Sequence, residues 1–251
     1  MTRRVTALML PGTGFPEGGD GICERFLSHL DERFFPQIVH YPAAGFGTGG
    51  MSWAQSRAAG KVALINAARA SKNPVILGGY SQGGIAGDVA AEIGEGKHRD
   101  LASKVLGCAL IADPKRPVGG GLPGERPASG YGIAGARPIS KIPTWWAAVE
   151  GDPITSLPAG SPLRTIADTA DYFSISSAPE ALHWGLDLYT KALARNFQPW
   201  WSLDRWRGWG GASRSAWGYL PRPVGGGLHT TALVEQGLLV RLAEAVNRGV
   251  R

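Results

Sequence analysis

The apolar run Val75-Ile76-Leu77-Gly78 passes directly into Gly79-Tyr80-Ser81-Gln82-Gly83, and a helix-like stretch from Gly84 to Ile93 follows at once. A chain that must go from a buried strand to a helix in so few residues has to turn tightly. Glycines at the first and fifth positions remove the β-carbons that would collide with neighbouring backbone. A Gly-x-Ser-x-Gly pentapeptide in that setting is the sequence form of a nucleophile elbow, which holds a serine hydroxyl at the tip of a parallel sheet. Unpaired N–H groups at the helix start also favour negative charge that develops there. Ser81 is therefore the candidate nucleophile. In a chain with 37 glycines the same pentapeptide also arises as a plain turn; the strand before it and the helix after it set this one apart.

The rest of the chain repeats the strand-then-helix rhythm. Runs at Val5 to Leu10, Gln37 to Tyr41, Val75 to Gly79, Val105 to Ala112 and Pro143 to Val149 are β-branched or continuously apolar, as strands covered on both faces are. Helical patterns fall at Ile22 to Arg33, Ser52 to Ala70, Gly84 to Ile93 and Thr231 to Val250. The expected fold class is α/β, a doubly wound parallel sheet flanked by helices, with ligands at the carboxyl ends of the strands. At 251 residues the chain suits one such domain.

Composition narrows the function. The net charge is +6, but the arginines and lysines are scattered rather than gathered on one helix. That pattern points to attraction toward an anionic surface and away from a nucleic-acid groove. No run approaches the roughly eighteen apolar residues needed to cross a bilayer. Met1-Thr-Arg-Arg followed by Val5 to Leu10 reads as a first strand without a signal peptide, since Pro11-Gly-Thr-Gly14 offers no cleavage site. Cys23 and Cys108 have no metal spacing and read as buried free thiols.

Two stretches break the alternation. Pro114 to Ser140, loaded with glycine and proline, reads as a long mobile loop on the site's edge. Thr155 to Pro221 reads as an inserted helical linker or cap; Trp184, Trp200, Trp201, Trp206, Trp209 and Trp217 stand in it among basic residues, either as an amphipathic face or as core packing. A heptapeptide, Arg116-Pro-Val-Gly-Gly-Gly-Leu122, recurs as Arg222 to Leu228, by coincidence or as paired loops on one rim.

A serine nucleophile needs a base within hydrogen-bond reach and a carboxylate to orient that base; in this fold the chain order is serine, acid, histidine. His229, in Gly225-Gly-Gly-Leu-His229 before the last helix, is the first candidate base, with His183 in reserve. His29, His40 and His98 precede the acid or read as structural. Asp152 leaves the strand Pro143 to Val149 at its carboxyl edge and is the candidate acid; Asp113, ending the strand before, is its competitor. Asp168, Asp171, Asp187 and Asp204 follow no strand and read as solvated or capping acids. The tetrahedral oxyanion requires two donors, expected from the N–H of Gln82 and from Thr13 in Pro11-Gly12-Thr13-Gly14. The scheme calls for no cofactor and no metal.

Taken together, Leu10-Pro-Gly-Thr-Gly14, Gly78-Gly-Tyr-Ser-Gln-Gly83, Gly151-Asp-Pro153 and Leu228-His-Thr-Thr231 resemble the cutinase-like serine esterases of the α/β-hydrolase superfamily, and among these the lysin B esterases of mycobacteriophages. By that resemblance Ser81, Asp152 and His229 match the family's triad, and Thr13 and Gln82 its oxyanion positions. A signal peptide and paired disulfides, usual in secreted cutinases, are missing, and the long stretch between Asp152 and His229 matches the lysin B linker. The chain reads as lacking a separate N-terminal peptidoglycan-binding module, since its first strand is expected almost at Met1. The resemblance implies hydrolysis of the ester joining mycolic acid to arabinogalactan, by a monomer made in the host cytoplasm and acting at the mycobacterial envelope during phage lysis. Its partner would be that lipid ester, with peripheral lipid contact and no nucleic acid. A general lipase or cutinase, or a PE-PPE-type esterase on short-chain lipid esters, is the alternative. A non-catalytic envelope-binding protein is another.

Overall fold

A computed structural model describes residues 4–45, 51–161, 163–164 and 226–250. Strands β1 (Val5–Leu10), β2 (Phe34–Ile38), β3 (Val75–Tyr80), β4 (Val105–Ile111) and β5 (Thr144–Ala147) form one sheet in the order β2-β1-β3-β4-β5. Every neighbouring pair is parallel. Helices α1 (Ile22–Ser28), α2 (Trp53–Ala70), α3 (Ile85–Gly94), α4 (Thr231–Glu235) and α5 (Leu238–Gly249) accompany it.

The central strands β1, β3 and β4 are almost wholly apolar because both of their faces are covered. Ala7, Met9, Ile76, Ala109 and Ile111 face α1 and α5, where Phe26, Leu239 and Leu242 close one core. Leu8, Leu10, Leu77, Cys108 and Leu110 face α2 and α3, where Leu64, Ile85 and Val89 close the other. Period-two alternation within a strand thus divides one hydrophobic run between two cores. From β1 the chain goes to β2 on one side and then crosses to β3 on the other. This reversal opens a crevice at the carboxyl ends of β1 and β3, the place where open α/β sheets bind ligands. The loop that holds Thr13 follows β1, and the pentapeptide spans the end of β3 and the turn after it.

Four details differ from the sequence expectation. The second strand lies at Phe34–Ile38 rather than Gln37 to Tyr41. It is an edge strand, where Pro36 is tolerated; Val39 and Tyr41 owe their burial to packing against the α2 and α3 core. The first helix ends at Ser28, short of Arg33. The last helix is broken between Glu235 and Leu238, with Gly237 at φ 65°. Finally, 114–140 is a fastened segment rather than a loose loop. Its anchor is Arg116, which is fully buried. Arg116 Nε donates to Thr155 O at 2.7 Å, Nη1 to Gly120 O at 2.8 Å, and Nη2 to Ser129 O and Gly130 O at 2.8 and 3.1 Å. One guanidinium satisfies four carbonyls that a glycine-rich loop cannot pair by itself.

The expected cap lies outside the described residues beyond position 164, with all six of its tryptophans, and so do residues 222–225 of the second heptapeptide. No helix among the described residues is long and apolar enough to cross a membrane. Cys23 and Cys108 are buried and unbridged, and burial pushes both thiols up.

Candidate active site

The pentapeptide turns as its glycines require. A β-carbon on Gly79 would stand 2.0 Å from Gly83 O, and one on Gly83 would stand 2.1 Å from Leu10 O. Between them Ser81 takes φ 53°, a left-handed conformation that costs a β-carbon-bearing residue free energy and persists where its surroundings fix it. A 3-10 turn, Ser81–Gly84, then feeds α3.

His229 arrives from the turn just before α4 and is buried. Its Nε2 lies 2.8 Å from Ser81 Oγ, and its Nδ1 lies 3.0 Å from Asp152 Oδ2. Asp152 follows β5 through Gly151 at φ 80°; its side chain has no exposure to solvent. The other carboxylate oxygen accepts the N–H of Ile154 at 3.0 Å. An ionised carboxylate only accepts, so Nδ1 carries the ring proton and Nε2 presents its lone pair to the serine hydroxyl.

The competing candidates are placed elsewhere. Asp113 accepts from Lys115 N at 3.0 Å, Arg137 Nη2 at 2.6 Å and Trp146 Nε1 at 3.2 Å, and so is held in a structural network. His40 pairs with Glu17, His98 with Glu92, and His29 ends α1. His183, Asp168, Asp171, Asp187 and Asp204 lie outside the described residues.

Thr13 and Gln82 are brought together. Thr13 Oγ1 donates to Gln82 Oε1 at 3.1 Å, and Gln82 Nε2 donates to Ala44 O at 2.8 Å. The backbone N–H of Thr13 has no acceptor among the described residues. Gln82 itself is buried.

Two tyrosines that sequence reasoning passed over support these groups. Tyr41 donates to Pro11 O at 2.8 Å behind the β1 loop. Tyr80 donates to His229 O at 3.0 Å, and its ring lies 5.4 Å from the imidazole at 31°. Tyr80 stands inside the pentapeptide, so its place beside Ser81 is visible in the sequence; its grip on a residue 149 positions away is not.

No protein-family model and no curated protein matches this chain. Among solved structures it is similar to lysin B from mycobacteriophage D29, at 19% identity over 67% of this chain and 75% of that one, with a TM-score of 0.50. The fold is the cutinase-like α/β-hydrolase fold. Further matches are the catalytic core domain of acetyl xylan esterase from Trichoderma reesei (22% identity, 63% of this chain and 88% of that, TM-score 0.47) and a cutinase-like protein from Cryptococcus sp. (24%, 61% and 79%, 0.43).

In this cutinase-like fold a charged network underlies the elbow helix. Asp88 of α3 pairs with Arg57, with Arg137 Nη1 at 2.9 Å and with Lys115 Nζ at 3.2 Å. Burial by itself pushes the Asp88 carboxyl up, but the combined field of Arg57, Arg137 and Lys115 outweighs it and brings the pKa to about 2. Arg137 also reaches Asp113 and Gly84 O, so the network ties the 114–140 segment to the base of the elbow.

Proposed function

We propose that the protein is a serine ester hydrolase working through an acyl-enzyme. The observation that carries this reading is the unbroken hydrogen-bonded line Ser81 Oγ, His229 Nε2, His229 Nδ1, Asp152 Oδ2, at 2.8 and 3.0 Å. Ser81 Oγ attacks the ester carbonyl carbon as His229 Nε2 takes its proton. Asp152 holds the ring and stabilises the imidazolium, and the carbonyl π pair moves onto oxygen. That oxyanion meets the N–H of Gln82 at the start of the elbow helix and the N–H of Thr13, which has no acceptor among the described residues. The imidazolium then gives its proton to the departing alkoxide, leaving an acyl ester on Ser81. Water, deprotonated by the same nitrogen, attacks that ester; the tetrahedral adduct collapses, the acid leaves, and His229 returns the proton to Ser81 Oγ.

For the substrate, we place the activity on the ester between mycolic acid and arabinogalactan, at the mycobacterial envelope during phage lysis. Three things support it: the four sequence motifs shared with lysin B enzymes, the fold likeness to a lysin B, and the stretch between Asp152 and His229 rich in tryptophan and basic residues. Such a composition suits a lipid ester at an anionic surface. Purified protein incubated with mycolylarabinogalactan should release free mycolic acids. Hydrolysis of p-nitrophenyl butyrate with that polymer left intact would instead make it a general short-chain esterase. No hydrolysis of either would leave the non-catalytic reading.

A further inference from the structure

Asp20, in the glycine-rich turn between β1 and α1, has no role in the scheme above, yet three backbone donors converge on it. Its Oδ1 accepts the N–H groups of Ile22 and Cys23, at 2.9 and 2.8 Å, in the first turn of α1. Its Oδ2 accepts the N–H of Gly12 at 3.0 Å. The first pair is an Asx-type turn at the helix start, one residue before the N-cap Gly21, and serine or asparagine can make it as aspartate does. The bond to Gly12 is not needed for that turn, and it reaches eight residues back along the chain into the loop that carries Thr13.

That loop lies against the nucleophile. A β-carbon at residue 12 would stand 3.7 Å from Ser81 Cβ, and Thr13 Oγ1 bonds the Gln82 side chain at 3.1 Å. The loop is held on three sides: Pro11 O by Tyr41, the Thr13 hydroxyl by Gln82, and Gly14 N by Ala43 O at 2.8 Å. The Gly12 N–H that Asp20 holds belongs to the Pro11–Gly12 peptide, whose carbonyl Tyr41 holds; the next peptide, which carries the Thr13 N–H, has its carbonyl, Gly12 O, bonded by Phe15 N at 3.2 Å. Fixing the Pro11–Gly12 plane at both of its polar groups limits how far the peptide that follows, and with it the Thr13 N–H, can swing away.

We propose that Asp20 is a positioning residue of the oxyanion loop: its carboxylate ties the start of α1 to Gly12 and thereby holds the Thr13 N–H for the developing oxyanion. This rests on the esterase reading. Asp20 does not touch substrate. It keeps a donor preorganised, and preorganisation of donors is what gives an oxyanion hole its effect.

Two substitutions separate this role from the turn at the helix start. Asp20→Asn keeps an oxygen for Ile22 and Cys23 but turns an NH₂ donor toward the Gly12 donor. Asp20→Ser also makes the turn and is too short to reach Gly12. With p-nitrophenyl butyrate, both variants are expected to lose about 10- to 100-fold in kcat with KM changed less than about threefold. Affinity for a phenylboronic acid, which forms a tetrahedral adduct on an activated serine, should fall by a similar factor while thermal midpoints stay near wild type. Folded variants with wild-type kcat and boronate affinity would overturn the proposal. So would a kcat loss that follows the thermal midpoint and leaves boronate affinity unchanged, the mark of the turn alone. Ser81→Ala, assayed alongside, tests the parent reading separately: if it hydrolyses ester as wild type does, or if wild type hydrolyses none, the esterase reading falls and this one with it.

Discussion

His229 Nε2 sits 2.8 Å from Ser81 Oγ although 148 residues separate the two in the chain. The approach is made by backbone on both sides. Ser81 is thrust out by a left-handed turn that Gly79 and Gly83 permit, and His229 is presented by a turn whose carbonyl Tyr80 holds.

Replacing either end of that contact should abolish turnover without unfolding the protein. Ser81→Ala or His229→Ala is expected to lower kcat for a p-nitrophenyl ester by about 10⁴-fold or more, and the double variant should be little worse than either single one. Fluorophosphonate labelling with peptide mapping checks it: the label should fall on the peptide holding Ser81 and vanish in Ser81→Ala. A label found elsewhere would remove Ser81 from the role.

The elbow glycines should tolerate no side chain. A methyl at Gly79 or Gly83 would press on main-chain carbonyls of Gly83 and Leu10, which cannot rotate aside. Gly79→Ala and Gly83→Ala are each expected to cost about 2–4 kcal/mol, from the upper end of overpacking penalties. The lost stability is measured by urea denaturation, and Gly160→Ala, with open space around it and no left-handed backbone, marks the contrast.

Stability should fall in acid through Asp88. Its folded pKa, about 2 against a usual 3.8, is depressed, so the stabilisation is fully present above pH 4 and is lost as the pH drops toward 2. A difference of roughly two pKa units corresponds to about 2 kcal/mol. Asp88→Asn should be less stable at pH 7 and show a flatter dependence between pH 4 and 2. Denaturation midpoints across that range decide it; an unchanged slope would show that Asp88 is not the linked group.

Arg116 should govern the 114–140 segment. Arg116→Met leaves the carbonyls of Gly120, Ser129, Gly130 and Thr155 without their donor, at an expected cost of about 2–4 kcal/mol. A glutamate-specific protease should then cut after the exposed Glu125 faster than in the wild type. Equal cleavage rates would mean that the segment is held by other contacts.

The sequence made the sheet legible because each central strand has to be apolar on both faces, and a buried strand leading into glycine, serine and a helix has few other meanings. Ser81, Asp152 and His229 were each singled out by where a strand or helix ends, and the structure brings their side chains into one line. What local pattern could not show was partnership at a distance. Nothing around Arg116 in sequence announces that four carbonyls from three separate turns will surround it, so a glycine-rich stretch read as loose. Asp20 was not singled out because its third donor, the Gly12 N–H, lies eight residues back in the same connection. The break at Gly237 was overlooked because apolar spacing continues on either side of it, and the edge strand was misplaced because Tyr41 is buried without being paired.

Tyr80 touches both the ring and the main chain of His229. The dipeptide Tyr80-Ser81 thus carries its own clasp for the base, and the 77 positions between Asp152 and His229 need not measure out the distance between them. A change in the length of that interval is therefore expected to leave Ser81 and His229 in contact.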